Sequence, residues 1–205
     1  MLIMASEGVE RPEVGSDGDP TPSSRVDWVV PLLRLLAFLA TLAATLVMAL
    51  NKETKNVIVA TFGTTSIKAT VKATFQHTPA FVFFVIVNGN ASLHNLLMLV
   101  VNFIRYKFVL KGRAPLAITI LDLMNVALVS GGESAAVFMG QLGRDGNSHA
   151  RWNKICDKVE SFCDRGRAAM IASLVGLLLM IIITIISIFR LSNKNKKLVS
   201  STNVP

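Results

Sequence analysis

Four apolar stretches, at about residues 29–50, 80–104, 115–140 and 168–189, are each long enough to cross a bilayer core that needs about 20 residues of helix. A soluble domain of 205 residues has no need of several uninterrupted runs of this kind. The pattern predicts an all-α membrane protein, a four-transmembrane-helix bundle. Residues 1–28, ahead of the first run, are acidic, rich in Pro, Gly and Ser, and lack apolar periodicity, which predicts a disordered tail. Residues 29–189 then form the membrane domain and residues 190–205 a basic tail. The first run starts late, exceeds the length of a signal-peptide core and follows an acidic flank, so it is expected to stay as a span.

One of these runs carries an acid. The third, Ala114 to Gly140, contains Asp122 in Leu121-Asp122-Leu123, and such a group costs at least ~2.5–3.5 kcal/mol on insertion scales unless a partner or a cavity receives it. The first run, Val29 to Leu50, contains a single charge, Arg34. At ~1.5 Å per residue Arg34 lies roughly 8 Å and Asp122 roughly 11 Å inside the start of its run. First and third spans point the same way, so the two residues share a leaflet and a depth. An Arg and a carboxylate brought together there pair bidentately, whereas either alone is a stranded charge. We therefore expect a structural Arg34–Asp122 pair. The alternative has Arg34 snorkelling to the headgroups and Asp122 in a wet crevice or protonated.

Other polar residues interrupt the spans. Asn88, Asn95 and Asn102 recur every seven residues and stay within about 40° on one helix face, a polar stripe for helix packing satisfied by neighbouring helices. His94 beside it makes no metal site alone, since no second His or Cys stands at ligand spacing in any span. No metal or other cofactor is expected. Glu133 falls on the same face as Asp122, close to three turns on, near the far interface, where it needs no partner. Gly131, Gly132, Ala135 and Ala136 leave that face thin enough for close packing. No nucleophile–base constellation is legible, and Gly131-Gly132-Glu133-Ser134 lacks the elbow turn of a serine motif, so an enzyme is not expected.

The net charge of +8 belongs beside the spans, facing anionic lipid, and without a soluble basic face it does not imply nucleic acid. Arg105, Lys107, Lys111 and Arg113 form a short acid-free loop, and Arg190, Lys194, Lys196 and Lys197 repeat the pattern in the tail. The loop after the third span carries six Lys or Arg, diluted by Asp145, Asp157, Glu160 and Asp164. Basic density thus predicts cytoplasmic N- and C-termini. The first connection, Asn51 to Thr78, reads as a small hairpin, with Val57–Phe62 and Ile67–Lys72 as strands broken at Gly63, or as an extended loop. The second long connection holds the only two cysteines, Cys156 and Cys163. A continuous helix would put their Cα atoms about 10 Å apart, beyond the ~7 Å reach of a disulfide. They are either a disulfide across a helix break, on an oxidising face, or two free thiols in an interfacial helix.

Several stretches together resemble one family. Leu33-Arg34-Leu35-Leu36, Met48-Ala49-Leu50-Asn51-Lys52, Thr78-Pro79-Ala80-Phe81, Leu121-Asp122-Leu123, Gly146-Asn147, Trp152-Asn153-Lys154-Ile155-Cys156 and Ser161-Phe162-Cys163 are similar to the plant Casparian strip membrane domain protein-like (CASP-like) family. The resemblance implies a MARVEL-like tetraspan in the plasma membrane, with the family's intramembrane Arg and Asp at Arg34 and Asp122 and its outer-loop cysteines at Cys156 and Cys163. Founding members assemble into immobile platforms that direct local cell-wall lignification. The first outer loop here lacks their aromatic-rich signature, which favours the first CASP-like subgroup. The function implied is a lateral scaffold: a homo- or hetero-oligomer with related tetraspans, in contact with membrane lipid and cell-wall-side proteins and not with nucleic acid. The competing reading is an ion or small-solute channel lined by Asp122, Glu133, His94 and the Asn stripe. The usual transporter signs, a broken helix pair and an inverted repeat, are missing from the sequence.

Overall fold

The computed structural model describes residues 22–62, 65–107 and 114–202. Four long helices carry the chain: α1 (Pro22–Ala49), α2 (Pro79–Lys107), α3 (Ala114–Asp145) and α4 (Glu160–Thr202). Residues 1–21 of the expected tail, and Lys111 and Arg113 of the basic loop, lie outside the described residues. The helices extend past the apolar runs. α1 opens on Pro22, whose fixed φ suits a first helical position, so the last residues of the expected tail are helical. α4 begins eight residues before the fourth run. Its polar first turns are held by an Arg167–Asp164 contact of 3.2 Å, and helix formation continues wherever charges can stay in the polar layer. At 43 residues α4 is about 65 Å long, well over the ~30 Å of hydrocarbon it has to cross.

Consecutive helices alternate in direction, and each packs on two neighbours: α1 on α2 and α4, α3 on α2 and α4. α1 and α3 therefore stand at opposite corners of the bundle. Small residues set the spacing. A Cβ on Gly132 of α3 would collide with Val87 of α2 and sit 3.5 Å from the Phe84 Cα, and one on Gly176 of α4 would lie 2.8 Å from Thr41 Cγ2 of α1. These approaches let backbones close where lipid offers no hydrophobic drive to association. The interior divides into an apolar cluster around Ala37, Ala91, Val129 and Met180, and another around Met48, Phe84, Ala136 and Ala169.

The distribution of polarity is the inverse of a soluble bundle. Leu32, Leu39, Ile86, Leu97, Ile120 and Ile185 face outward, while Arg34, Asn88, Asn95, Asp122, Asn125 and Glu133 are buried. Such an exterior is stable only against lipid tails, and all four helices have the length and hydropathy to cross a membrane.

The connection after α1 is a hairpin: β1 (Lys52–Phe62) and β2 (Thr65–Thr74) pair antiparallel, with a bulge between Ile58 and Ala60. Gly63, the expected break, lies outside the described residues. Runs rich in β-branched residues favour this pleated form over helix, and the Thr70 hydroxyl donates to the Asn56 side chain across the ladder at 2.8 Å. A single 3-10 turn, Phe75–His77, leads to Pro79 and α2. At the far end of α3, Gly146 takes φ +69° and its N–H bonds to Leu142 O at 2.9 Å, the left-handed stop that glycine permits. The chain then turns tightly, with Asn147 and Trp152 exchanging two backbone bonds of 2.8 and 2.9 Å.

Candidate functional site

The polar centre of the bundle lies near the end that carries the termini. Arg34 Nη1 donates to Asp122 Oδ1 at 3.0 Å and Nη2 to Oδ2 at 2.6 Å, and both side chains are almost wholly buried. The guanidinium fork fits the two carboxylate oxygens and fixes orientation as well as distance. Because α1 and α3 stand at opposite corners, this pair spans the bundle diagonal instead of joining two helices in face-to-face contact. It ties each helix to one it barely touches.

A third side chain completes the group. His94 Nε2 of α2 lies 2.7 Å from Asp122 Oδ1. A carboxylate held by Arg only accepts, so His94 donates through Nε2–H. One turn earlier on α2, Asn90 Nδ2 donates to Asn125 Oδ1 of α3 at 3.1 Å. In the sequence His94 stands as a lone histidine without a visible partner. A signal was present: if α2 and α3 run antiparallel, the register that places His94 opposite Asp122 also places Asn90 opposite Asn125. With both Asp122 oxygens engaged, the arrangement holds helices together and leaves no free base.

The amide stripe behaves differently from the expectation. Asn88 and Asn95 are buried, yet their amides donate backward to Phe84 O (3.0 Å) and Ala91 O (2.9 Å) of their own helix. The amide donors are satisfied locally at their own i−4 carbonyls, while Asn88 Oδ1 is buried without a partner. Asn102 lies away from them, lining a cavity of about 220 Å³ with Arg34, Thr119 and Arg190. Of the amides in α2, Asn90, which the heptad pattern omits, makes the bond to another helix.

Glu133 is also a correction. Expected at a wet interface, it is 8% exposed, and its Oε2 is without a hydrogen-bond partner. The tight α2–α3 approach at Gly132 draws the neighbouring carboxylate inward. Among the described residues no group of three or more His, Cys, Asp or Glu could hold a metal ion.

On the hairpin side the two connections are joined. Cys156 and Cys163 form a disulfide with a Cα–Cα distance of 5.7 Å, made possible because the chain turns between them and α4 begins only at Glu160. Phe162 is clamped next to it. Its carbonyl accepts from Asn51 Nδ2 at 2.7 Å, its N–H donates to Glu53 Oε2 at 2.7 Å, and its ring meets Phe81 edge-on at 6.2 Å. The Lys55 ammonium, 2.9 Å from Glu53, holds that carboxyl below its usual value; some desolvation opposes this and the Phe162 amide reinforces it.

This geometry of four spans, a buried Arg–Asp bond and a disulfide on the hairpin side can be set beside known proteins. The model of the Casparian strip membrane protein domain matches residues 23–179. CASP-like protein 1B1 of Populus trichocarpa is 58% identical over 194 residues, covering 94% of this chain and 98% of that protein. CASP-like protein 1B1 of Glycine max is 50% identical over 193 residues, covering 94% of this chain and 100% of that protein. CASP-like protein 1B2 of Arabidopsis thaliana is 54% identical over 164 residues, covering 80% and 83%. No solved structure matches. With a domain match over most of its length and relatives of this similarity, the chain belongs to the Casparian strip membrane protein domain family, in the first CASP-like subgroup.

Proposed function

We propose that this multi-pass protein is a plasma-membrane scaffold that self-associates laterally, or joins related tetraspans, and organises a membrane–cell-wall platform. In this reading the termini are cytoplasmic and the hairpin side faces the wall, where an oxidising environment maintains the Cys156–Cys163 bond. The observation that carries the reading is a stripe on the outside of α3. Ala127, Ser130, Gly131 and Ser134 are all exposed there, a thin surface among large aliphatic side chains. In lipid, helices associate where small residues let backbones approach, and a second copy can use this stripe as α2 uses Gly132.

The packing between the two polar zones weighs against the channel. Between the level of Asp122 and that of Glu133 the fully buried Ala37, Ala91 and Val129 pack together, and the buried Thr41, Asn88 and Asn125 bond back to their own helices, which supports a filled interior over an ion path. The test is photobleaching of the tagged protein in a plant plasma membrane, together with Gly131→Leu. A Cβ at Gly131 meets nothing nearer than Phe83 Cε1 at 3.9 Å, so the substitution spares the fold and blocks only the outer stripe. Slow recovery that becomes fast in Gly131→Leu supports the scaffold. Rapid, full recovery of the unaltered protein, or an ion current after reconstitution, overturns it.

A further inference from the structure

On the hairpin side a cavity of about 1270 Å³ opens between β2, the end of α3, the disulfide turn and the start of α4. It exceeds the usual ~300–1,000 Å³ of a small-molecule site, so it admits a compact ligand together with water. Its wall is apolar and partly aromatic, with Met48, Phe81, Val137, Met170 and Leu174. Its rim carries charges of both signs, and Arg167 is already matched by Asp164 at 3.2 Å. The rim therefore selects neither sign.

The floor does. Glu133 lines the cavity and is 8% exposed, its carboxylate set into the wall. The Ser173 hydroxyl of α4 lies beside it, fully buried behind the cavity wall, and brings no charge to the carboxylate. Among the described residues no Lys, Arg or His makes an ion pair with Glu133. A buried carboxylate with no cationic partner is costly unless something bound supplies one.

We propose that this cavity is a binding site for a small organic cation, a primary ammonium on an apolar body. The ammonium donates to the Glu133 carboxylate, and the body lies against the Phe81, Met170 and Leu174 wall. An ammonium fits better than an alcohol because it brings three donors and the charge the site lacks. Phe81 and the neighbouring Met side chains give a cation's apolar stem soft, polarisable contacts.

The test uses the whole chain in phosphatidylcholine nanodiscs, with phenethylammonium as the probe and phenethyl alcohol as its neutral counterpart. The sequence has two Trp residues, and Trp152 lines the cavity, so a Trp28→Phe background makes Trp152 the sole reporter. Saturable quenching by the amine is expected, at least roughly tenfold weaker for the alcohol and for Glu133→Gln. Val137→Phe, which fills the cavity and leaves the floor intact, is expected to abolish binding, and calorimetric titration checks each result independently of fluorescence. Weaker probe binding in nanodiscs containing phosphatidylethanolamine would assign the site to a lipid amine, and unchanged binding to a soluble one; both support an ammonium site. Equal affinity for amine and alcohol, or Glu133→Gln binding the amine as tightly as the unaltered protein, overturns the proposal.

Discussion

Replacing Asp122 with Asn removes one negative charge from the centre of the bundle and leaves Arg34 facing an amide across the diagonal. Both side chains are almost fully buried, joined by bonds of 2.6 and 3.0 Å, so water cannot take over the lost role. Removing one partner of a buried pair costs about 3–5 kcal/mol, roughly a 150- to 4,000-fold shift in the folding equilibrium. Arg34→Met should cost a similar amount. The informative variant is the neutral double, Arg34→Met with Asp122→Asn, which strands neither charge and still offers His94 an acceptor at position 122. Swapping the charges is a poorer test, because an Arg at 122 would face His94, 2.7 Å from the carboxylate it replaces. Fraction folded can be followed by denaturant titration in mixed micelles. The double is expected to lose at least ~2 kcal/mol less than the sum of the singles, a coupling within the range for residues in one ionic network. Additive losses, each under ~1 kcal/mol, would refute the idea that the charges depend on each other.

Other outcomes follow from the same contacts. Gly132→Leu forces a side chain into Val87 and the Phe84 backbone and should destabilise the bundle by about 1–3 kcal/mol in the same titration, whereas Gly131→Leu should leave stability within ~0.5 kcal/mol. Cys163→Ser opens a short loop and should cost about 2–3 kcal/mol, read as earlier thermal unfolding without reductant. The Glu53 carboxyl has a folded-state pKa below its unfolded value, so the stability it contributes is present above the unfolded value and is lost as pH falls through the lower folded value. Protection of the Phe162 amide against hydrogen exchange, taken relative to the intrinsic rate at each pH, should therefore be high near neutrality and fall in acid, and Glu53→Gln should remove most of that pH dependence.

Much of this arrangement is legible before any coordinates. An acid and a base placed singly in long apolar runs are rare enough to be matched by depth alone, which is how Arg34 and Asp122 can be expected to meet. Depth says nothing about azimuth. Whether first and third spans are neighbours or stand diagonally depends on packing at Gly132 and Gly176, where a few tenths of an ångström decide which faces close. His94 is hidden for a related reason: one histidine carries no periodic signal, and its partner is readable only once the α2–α3 register is fixed. The heptad of Asn88, Asn95 and Asn102 marks a helix face correctly as buried in its first two members, but burial does not say where an amide bonds, and the local carbonyl is nearest. Glu133 looks interfacial by counting residues from the span's end, yet the helix continues to Asp145 and the charge remains inside. The disulfide turns on a single break, at Val159, between two stretches that could equally have been one helix.

The most direct measurement is a solid-state NMR distance in lipid bilayers between the labelled Asp122 carboxyl carbon and the Arg34 guanidinium nitrogens. Strong dipolar dephasing is predicted, matching oxygen–nitrogen separations of 2.6 and 3.0 Å. Dephasing no greater than that of an Arg on the membrane surface, such as Arg144, would contradict a bundle tied across its diagonal by these two residues.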